Sequence, residues 1–238
     1  MRAVLRTLVL GTVAISWLLA ATAWPQSESA ELDRVLTQMD AAARNFRTTE
    51  ASFVTDQYYE VIKAVDETAR QKGKIYFRRE GGEIEMAADI VETDKKYVLY
   101  SGGKVQVYHP KIDQVEEYNP GKNRSDVESF LVLGFGGGGH DLLKSYDVKF
   151  LGSVAANGIK AEELELIPKS ARLRNNIARI LLWIDPDRGI SVQQQLFEPG
   201  GDYRLAKYSE IKINQNKFPE DVFKLKTTGR TKFISPQG

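Results

Sequence analysis

The chain has 238 residues, 33 lysines and arginines against 32 aspartates and glutamates, and no cysteine. Near-neutrality argues against nucleic acid as a partner, because such binding rests on clustered Lys/Arg that neutralise phosphates. The missing cysteine excludes disulfide staples, thiol chemistry and lipidation on an N-terminal Cys, and the length suffices for a core that holds without staples.

Residues 1–23 open with Arg2 and Arg6, continue as an apolar run over residues 8–21, and end in Ala21-Thr22-Ala23 before Trp24. A basic start, a short apolar middle and a small-x-small exit are the three parts of a secretory signal peptide. The apolar run, about 14 residues, falls short of the ~18–20 needed to cross a bilayer. The reading is an exported protein, cleaved near Ala23, with residues 24–238 forming one domain. Setting Arg2 and Arg6 aside leaves 31 basic against 32 acidic residues.

Over residues 30–44, Leu32, Val35, Leu36, Met39 and Ala43 recur at helical spacing. They make one apolar stripe, with Ser29 as N-cap and Glu31 in the first turn. The period then changes to two. Strands are expected over residues 52–65, 74–79, 84–88, 97–100, 104–109 and 114–118, with most breaks marked by Gly, Pro or Asn. Ser125-Asp126-Val127-Glu128 reads as a capping box that opens a short apolar helix carrying Phe130, Leu131 and Leu133. Residues 134–139 read as a glycine hinge and 140–146 as a further helical turn. Strands resume over 147–151, 160–167, 179–184, 191–198, 203–214 and near 223–226, with a turn at 185–189. The fold class is mainly β: about eleven antiparallel strands without βαβ alternation, curled into a barrel or half-barrel that a few helices close on one side.

Chemistry has little to build on. Gly134, Gly136 and Gly139 match G-x-G-x-x-G, but that motif binds dinucleotides only between a strand and a helix of a parallel βαβ unit. The setting here is antiparallel, so a hinge is the better account. His109 and His140 have no second ligand at metal spacing, Asp185 and Asp187 belong to a turn, and no G-x-S-x-G elbow exists. No enzyme activity, metal or cofactor is expected.

The interruption of the strands is more telling. An apolar helix followed by a glycine hinge reads either as a lid or as a plug of the core. A curled sheet this large encloses more volume than its own side chains fill, which favours a ligand cavity. On residues 74–79, Ile75, Phe77 and Arg79 share a face. If Arg79 points inward it needs acceptors, and carbonyls at the ends of a closing helix would serve; otherwise it snorkels to water from the strand end.

Five motifs in order resemble the LolA family of periplasmic carriers of outer-membrane lipoproteins. They are Ala51-Ser52-Phe53, residues 73–79 (GKIYFRR), residues 103–110 (GKVQVYHP) followed by Gln114, Leu166-Ile167-Pro168-Lys169, and Phe223-Lys224-Leu225. The likeness spans most of residues 24–238 and departs from the family pattern at Glu80, Ile84 and Met86. It implies an open β-barrel of about eleven strands with a helical lid over an apolar cavity. It also implies acylated lipoproteins or related envelope lipids as cargo. An inner-membrane donor complex, an outer-membrane acceptor and only peripheral membrane contact follow from it. Arg79 matches the arginine that holds the family's lid closed. The side chains expected at cavity and lid are Arg79, Ile75, Phe77, Phe53, Ile84, Leu99, Val107, Phe130, Leu131, Leu133 and Trp183. The alternative is a sensor of envelope stress on the same half-barrel that binds without transporting. Such sensors usually carry a second domain, and the sequence ends soon after Phe223, which favours the carrier.

Overall fold

The computed structural model describes residues 24–236, so the expected signal peptide lies outside the described residues. The first element is helix α1 (Trp24–Asn45). It starts before the expected Ser29 cap. The expected stripe holds: Val35, Leu36, Met39 and Ala43 are buried.

A long hairpin follows, β1 (Thr48–Tyr59) and β2 (Ala64–Glu80). The single strand expected over residues 52–65 is therefore two strand ends and a turn, with Lys63 at φ 50°. The apolar pair Val61-Ile62 extends the strand pattern in sequence but occupies that turn. Next come β3 (Glu83–Ile90), β4 (Lys96–Ser101), β5 (Lys104–His109) and β6 (Gln114–Tyr118).

Helix α2 (Arg124–Leu131) then interrupts the sheet. It does not use the expected capping box. A 3-10 turn at Gly121–Asn123 runs directly into it, so the Arg124 N–H is satisfied by Gly121 and Ser125 lies inside the helix. Helix α3 (Gly139–Ser145) leads into β7 (Tyr146–Ala156) and β8 (Ile159–Pro168). A single turn, α4 (Ala171–Arg174), precedes β9 (Arg179–Asp185), β10 (Ile190–Phe197) and β11 (Tyr203–Ile213). The last strand, β12 (Lys232–Ile234), is not the one expected near residues 223–226. There Phe223 ends a 3-10 turn, and its ring is used for packing rather than pairing.

The twelve strands of the described residues form one sheet, in the order β12-β6-β5-β4-β3-β2-β1-β11-β10-β9-β8-β7. Every pairing is antiparallel except β12 on β6. The edges do not meet, so the sheet is an open half-barrel. Two apolar clusters fill its concave side. One packs α1 (Val35, Leu36, Met39) on Leu164, Leu166, Ile180, Leu182 and Ile184 of β8 and β9. The other gathers Phe53, Phe77, Met86, Tyr100, Phe135 and Tyr208. On the convex side Leu181, Trp183 and Val192 form one cluster, and Phe223 packs on Tyr76, Ala87 and Leu99 in another. Among the described residues no helix is long and apolar enough to cross a membrane.

Candidate functional site: a covered apolar cavity and its arginine latch

The second cluster does not close completely. A cavity of about 290 Å³ remains between the concave sheet and the segment that carries α2 and the glycines. Phe53, Ile75, Phe77, Met86, Ala206 and Tyr208 form its floor, and Phe130, Leu131, Leu133 and Phe135 form its roof. Thr55, Gln71 and Arg204 lie at its more polar end. The floor follows from strand alternation, which puts Ile75 and Phe77, or Met86 and Ala88, on one face. The roof follows from the short α2, whose end delivers three large apolar side chains within four residues.

The roof is fastened at several points. On α2, the Tyr100 hydroxyl donates to Glu128 at 2.6 Å, and Arg124 bridges Glu128 (2.6 Å) and Glu83 (3.0 Å). Burial pushes the Tyr100 phenol up to about 12, and its bond to the Glu128 carboxylate acts in the same direction. Beyond α2, the carbonyl of Leu133 accepts from the Gln194 side chain at 2.5 Å and that of Gly134 from the Ser191 N–H at 2.9 Å. The Gly136 carbonyl accepts from Arg79 at 2.6 Å. The segment expected as a hinge is thus pinned through two of its carbonyls, and the Leu133 carbonyl just before it is held as well. Gly136 itself sits at φ 83°, a conformation that side chains other than glycine's rarely adopt.

Arg79 is the common fastener. Its second terminal nitrogen donates to the Ala43 carbonyl at 2.9 Å, near the C-terminal end of α1, where the helix dipole favours a cation. The guanidinium lies 5.7 Å from the Phe46 ring centroid, and the Arg79 N–H donates to the Arg47 carbonyl. One side chain therefore ties β2, the end of α1 and the glycine segment together. Of the two orientations open to Arg79 in the sequence, the inward one is found.

At the far side of the cover, Gly139 approaches α1 so closely that a Cβ there would stand 2.2 Å from the Leu36 carbonyl oxygen. Next to it His140 bridges two carboxylates of α1, Asp40 at 2.5 Å and Asp33 at 3.2 Å. The hydrogen bond to Asp40, then that to Asp33, holds the imidazole pKa above its ordinary 6.5. Burial alone would raise Asp40, but its bonds from the His140 ring and N–H outweigh that and leave it below 3.8. A raised folded-state pKa gives stability that is complete below 6.5 and fades as pH climbs through the folded value. The Asp40 contribution fades only below 3.8. The melting temperature is therefore expected to fall as pH rises above 6.5, and His140→Gln to flatten that slope. A wild-type slope unchanged in the variant would remove His140 from the α1–α3 contact energy.

Six of the eleven expected side chains line the cavity: Phe53, Ile75, Phe77, Phe130, Leu131 and Leu133. Ile84 lines an adjoining hollow of about 320 Å³ together with Arg79. Val107 pairs with Val98 farther along the sheet and does not reach the cavity. Leu99 and Trp183 lie on the convex side. Leu99 stands between Val98 and Tyr100, which both pack with the concave cluster, so alternation turns it outward. Leu182 likewise takes the α1 side and leaves Trp183 the other. Met86, Phe135, Ala206 and Tyr208 were not anticipated. Met86 and Ala88 follow from the alternation of β3, whereas Phe135, set among glycines, has no periodic signal.

A concave antiparallel sheet, open at its edges and roofed by helices over an apolar cavity, is the open half-barrel architecture expected from the sequence. No family model and no curated protein matches the sequence. Among solved structures the chain is similar to an uncharacterized conserved protein from Thermus thermophilus (12% identity, TM-score 0.52, covering 88% of this chain and 99% of that one). It is also similar to MucB (16% identity, TM-score 0.50, covering 82% of this chain and 63% of that one), so it spans under two thirds of MucB's length. The lipoprotein LppX of Mycobacterium tuberculosis matches at 13% identity and TM-score 0.47 over 80% of this chain and 98% of that one. At such identities the likeness concerns the fold.

Proposed function

We propose that the protein is an exported carrier of the cell envelope, which takes up acyl chains of lipoproteins or related envelope lipids and moves them toward the outer membrane. The observation that carries this reading is the apolar cavity left beneath a roof that is fastened by hydrogen bonds from Arg79, Gln194 and Ser191 to its backbone carbonyls beside the buried Phe135 ring. At about 290 Å³ it lies near the lower end of the ~300–1,000 Å³ range of ligand sites. That suits a closed form which must open to admit a full chain.

The energetics favour this design. Each buried methylene contributes ~0.8 kcal/mol, so one 16-carbon chain offers ~12 kcal/mol gross. A shuttle that kept all of it would never release its load, so raising the roof must offset a part. The carrier needs no bond chemistry, and its donor and acceptor are membrane assemblies at the two ends of its path. Residues 1–23 supply export in this reading.

Native mass spectrometry of the protein purified from the envelope without detergent tests it. The expected result is an added mass, released on denaturation and identified as lipid or lipopeptide. Leu131→Asp, which sets a carboxylate in the roof, should abolish that mass and weaken uptake of a hydrophobic fluorophore at least tenfold, since an ionised carboxylate strongly disfavours an apolar wall. A protein that arrives unladen and also fails to bind the fluorophore would refute the carrier.

A further inference from the structure

The hairpin of β1 and β2 ends in the most exposed aliphatic residues of the described chain. Val61 is 93% exposed and Ile62 62%, with Val65 and Tyr59 half-exposed behind them. Isolated apolar residues on a surface are ordinary, but two adjacent ones at the outermost point of a long hairpin are not. The hairpin also has a definite relation to the cavity. Thr55 and Gln71, paired across it, stand at the cavity's polar end beside Arg204. From Thr55 the strand runs four more residues to Tyr59, about 13 Å at ~3.3 Å per residue, so the tip projects beyond that end.

We propose that this tip inserts into a lipid surface and sets the polar end of the cavity against it, so that an acyl chain passes between bilayer and cavity without crossing water. This rests on the carrier reading. A lipid surface suits the tip better than a protein groove. Two aliphatic side chains fall far short of the ~1,200–2,000 Å² that stable protein interfaces bury, whereas a bilayer needs only the tip to enter. Behind the tip, Tyr58 and Tyr203 stack at 4.5 Å, and aromatic rings of this amphipathic kind favour the headgroup level. The charges define the surface further. Glu60, Asp66, Glu67 and Asp202 outnumber Lys63 around the turn, and the Asp202 carboxylate accepts from the Glu60 N–H at 2.8 Å. Such a tip is repelled by anionic headgroups and fits a zwitterionic leaflet.

The chain has no cysteine, so Ile62→Cys carries a single environment-sensitive fluorophore. With phosphatidylcholine vesicles its emission is expected to shift to the blue and the protein to float with the vesicles. Val61→Asp with Ile62→Asp should reduce flotation by about tenfold or more while hydrophobic-fluorophore uptake by the cavity stays unchanged, which also reports that the variant is folded. Flotation that persists in the double variant would overturn the proposal, as would stronger, salt-sensitive binding to phosphatidylglycerol vesicles. No dye shift and no flotation, with cavity uptake intact, would overturn the insertion and leave the carrier reading standing. Tip-dependent flotation without cavity uptake would support insertion and defeat the carrier.

Discussion

Arg79→Leu is expected to hold lipid more tightly and release it more slowly than the wild type. The guanidinium makes two charge-assisted hydrogen bonds: the one to the Gly136 carbonyl exists only while the roof is down, and the one to Ala43, at the end of α1, holds the guanidinium in place for it. Bonds of this type contribute ~1.5–3 kcal/mol each when buried, and partial exposure at this site reduces the Gly136 bond to roughly 1.4 kcal/mol. That moves the balance between closed and open forms by about tenfold toward the open one. Because the binding-competent state is the open one, apparent affinity should rise by up to the same factor. Arg79→Lys should fall between, since one ammonium on a flexible stem cannot reproduce a planar fork that spans two carbonyls. Displacement of a bound hydrophobic fluorophore by a competing lipid measures the effect. Equal or faster release from Arg79→Leu would remove the latch from the mechanism.

Phe135→Ala is expected to have the largest effect on stability. The ring is 1% exposed, stacks on Phe77 at 5.1 Å and meets Tyr208 edge-on at 4.8 Å. Truncating a buried phenylalanine costs ~3–5 kcal/mol, the lost transfer energy plus the void left behind. For a domain of this size that corresponds to a melting temperature lower by roughly 10 °C. The void adjoins the existing cavity, so the variant should take up more hydrophobic fluorophore even as it unfolds sooner. Phe135→Leu should recover most of the stability. A melting temperature unmoved by Phe135→Ala would show that the ring does not anchor the roof to the sheet.

Strand alternation is a local property, and it carried far. Ile75, Phe77 and Arg79 share a face because the period is two, and that face is the concave one. The stripe on α1 was legible for the same kind of reason, since helical spacing needs no knowledge of the partner. Three kinds of feature were not legible. Which parity faces inward on a given strand depends on the sheet's curvature, and so Leu99 and Trp183, apolar and well placed in sequence, lie on the convex side. The hairpin turn at residues 60–63 was hidden because Val61 and Ile62 continue the strand composition without turn residues. The start of α2 was misread because a preceding 3-10 turn supplied the acceptor that a capping box would otherwise provide.

By itself, the sequence determined a neutral, cysteine-free, mainly antiparallel β chain, an amphipathic helix before it, a break of apolar helix and glycine within it, and an arginine on an apolar strand face. Each of these is set by the periodicity or composition of a few neighbouring residues. Only the tertiary structure decided that the break lies over the sheet as a roof, that Phe135 is its anchor, and that a cavity remains beneath. It also decided that Arg79 reaches Ala43 and Gly136, carbonyls 36 and 57 residues away, and that Val61 and Ile62 stand in solvent. Backbone carbonyls carry no side-chain identity, so the sequence marks only the arginine half of such a latch, and folding alone decides which carbonyls receive it.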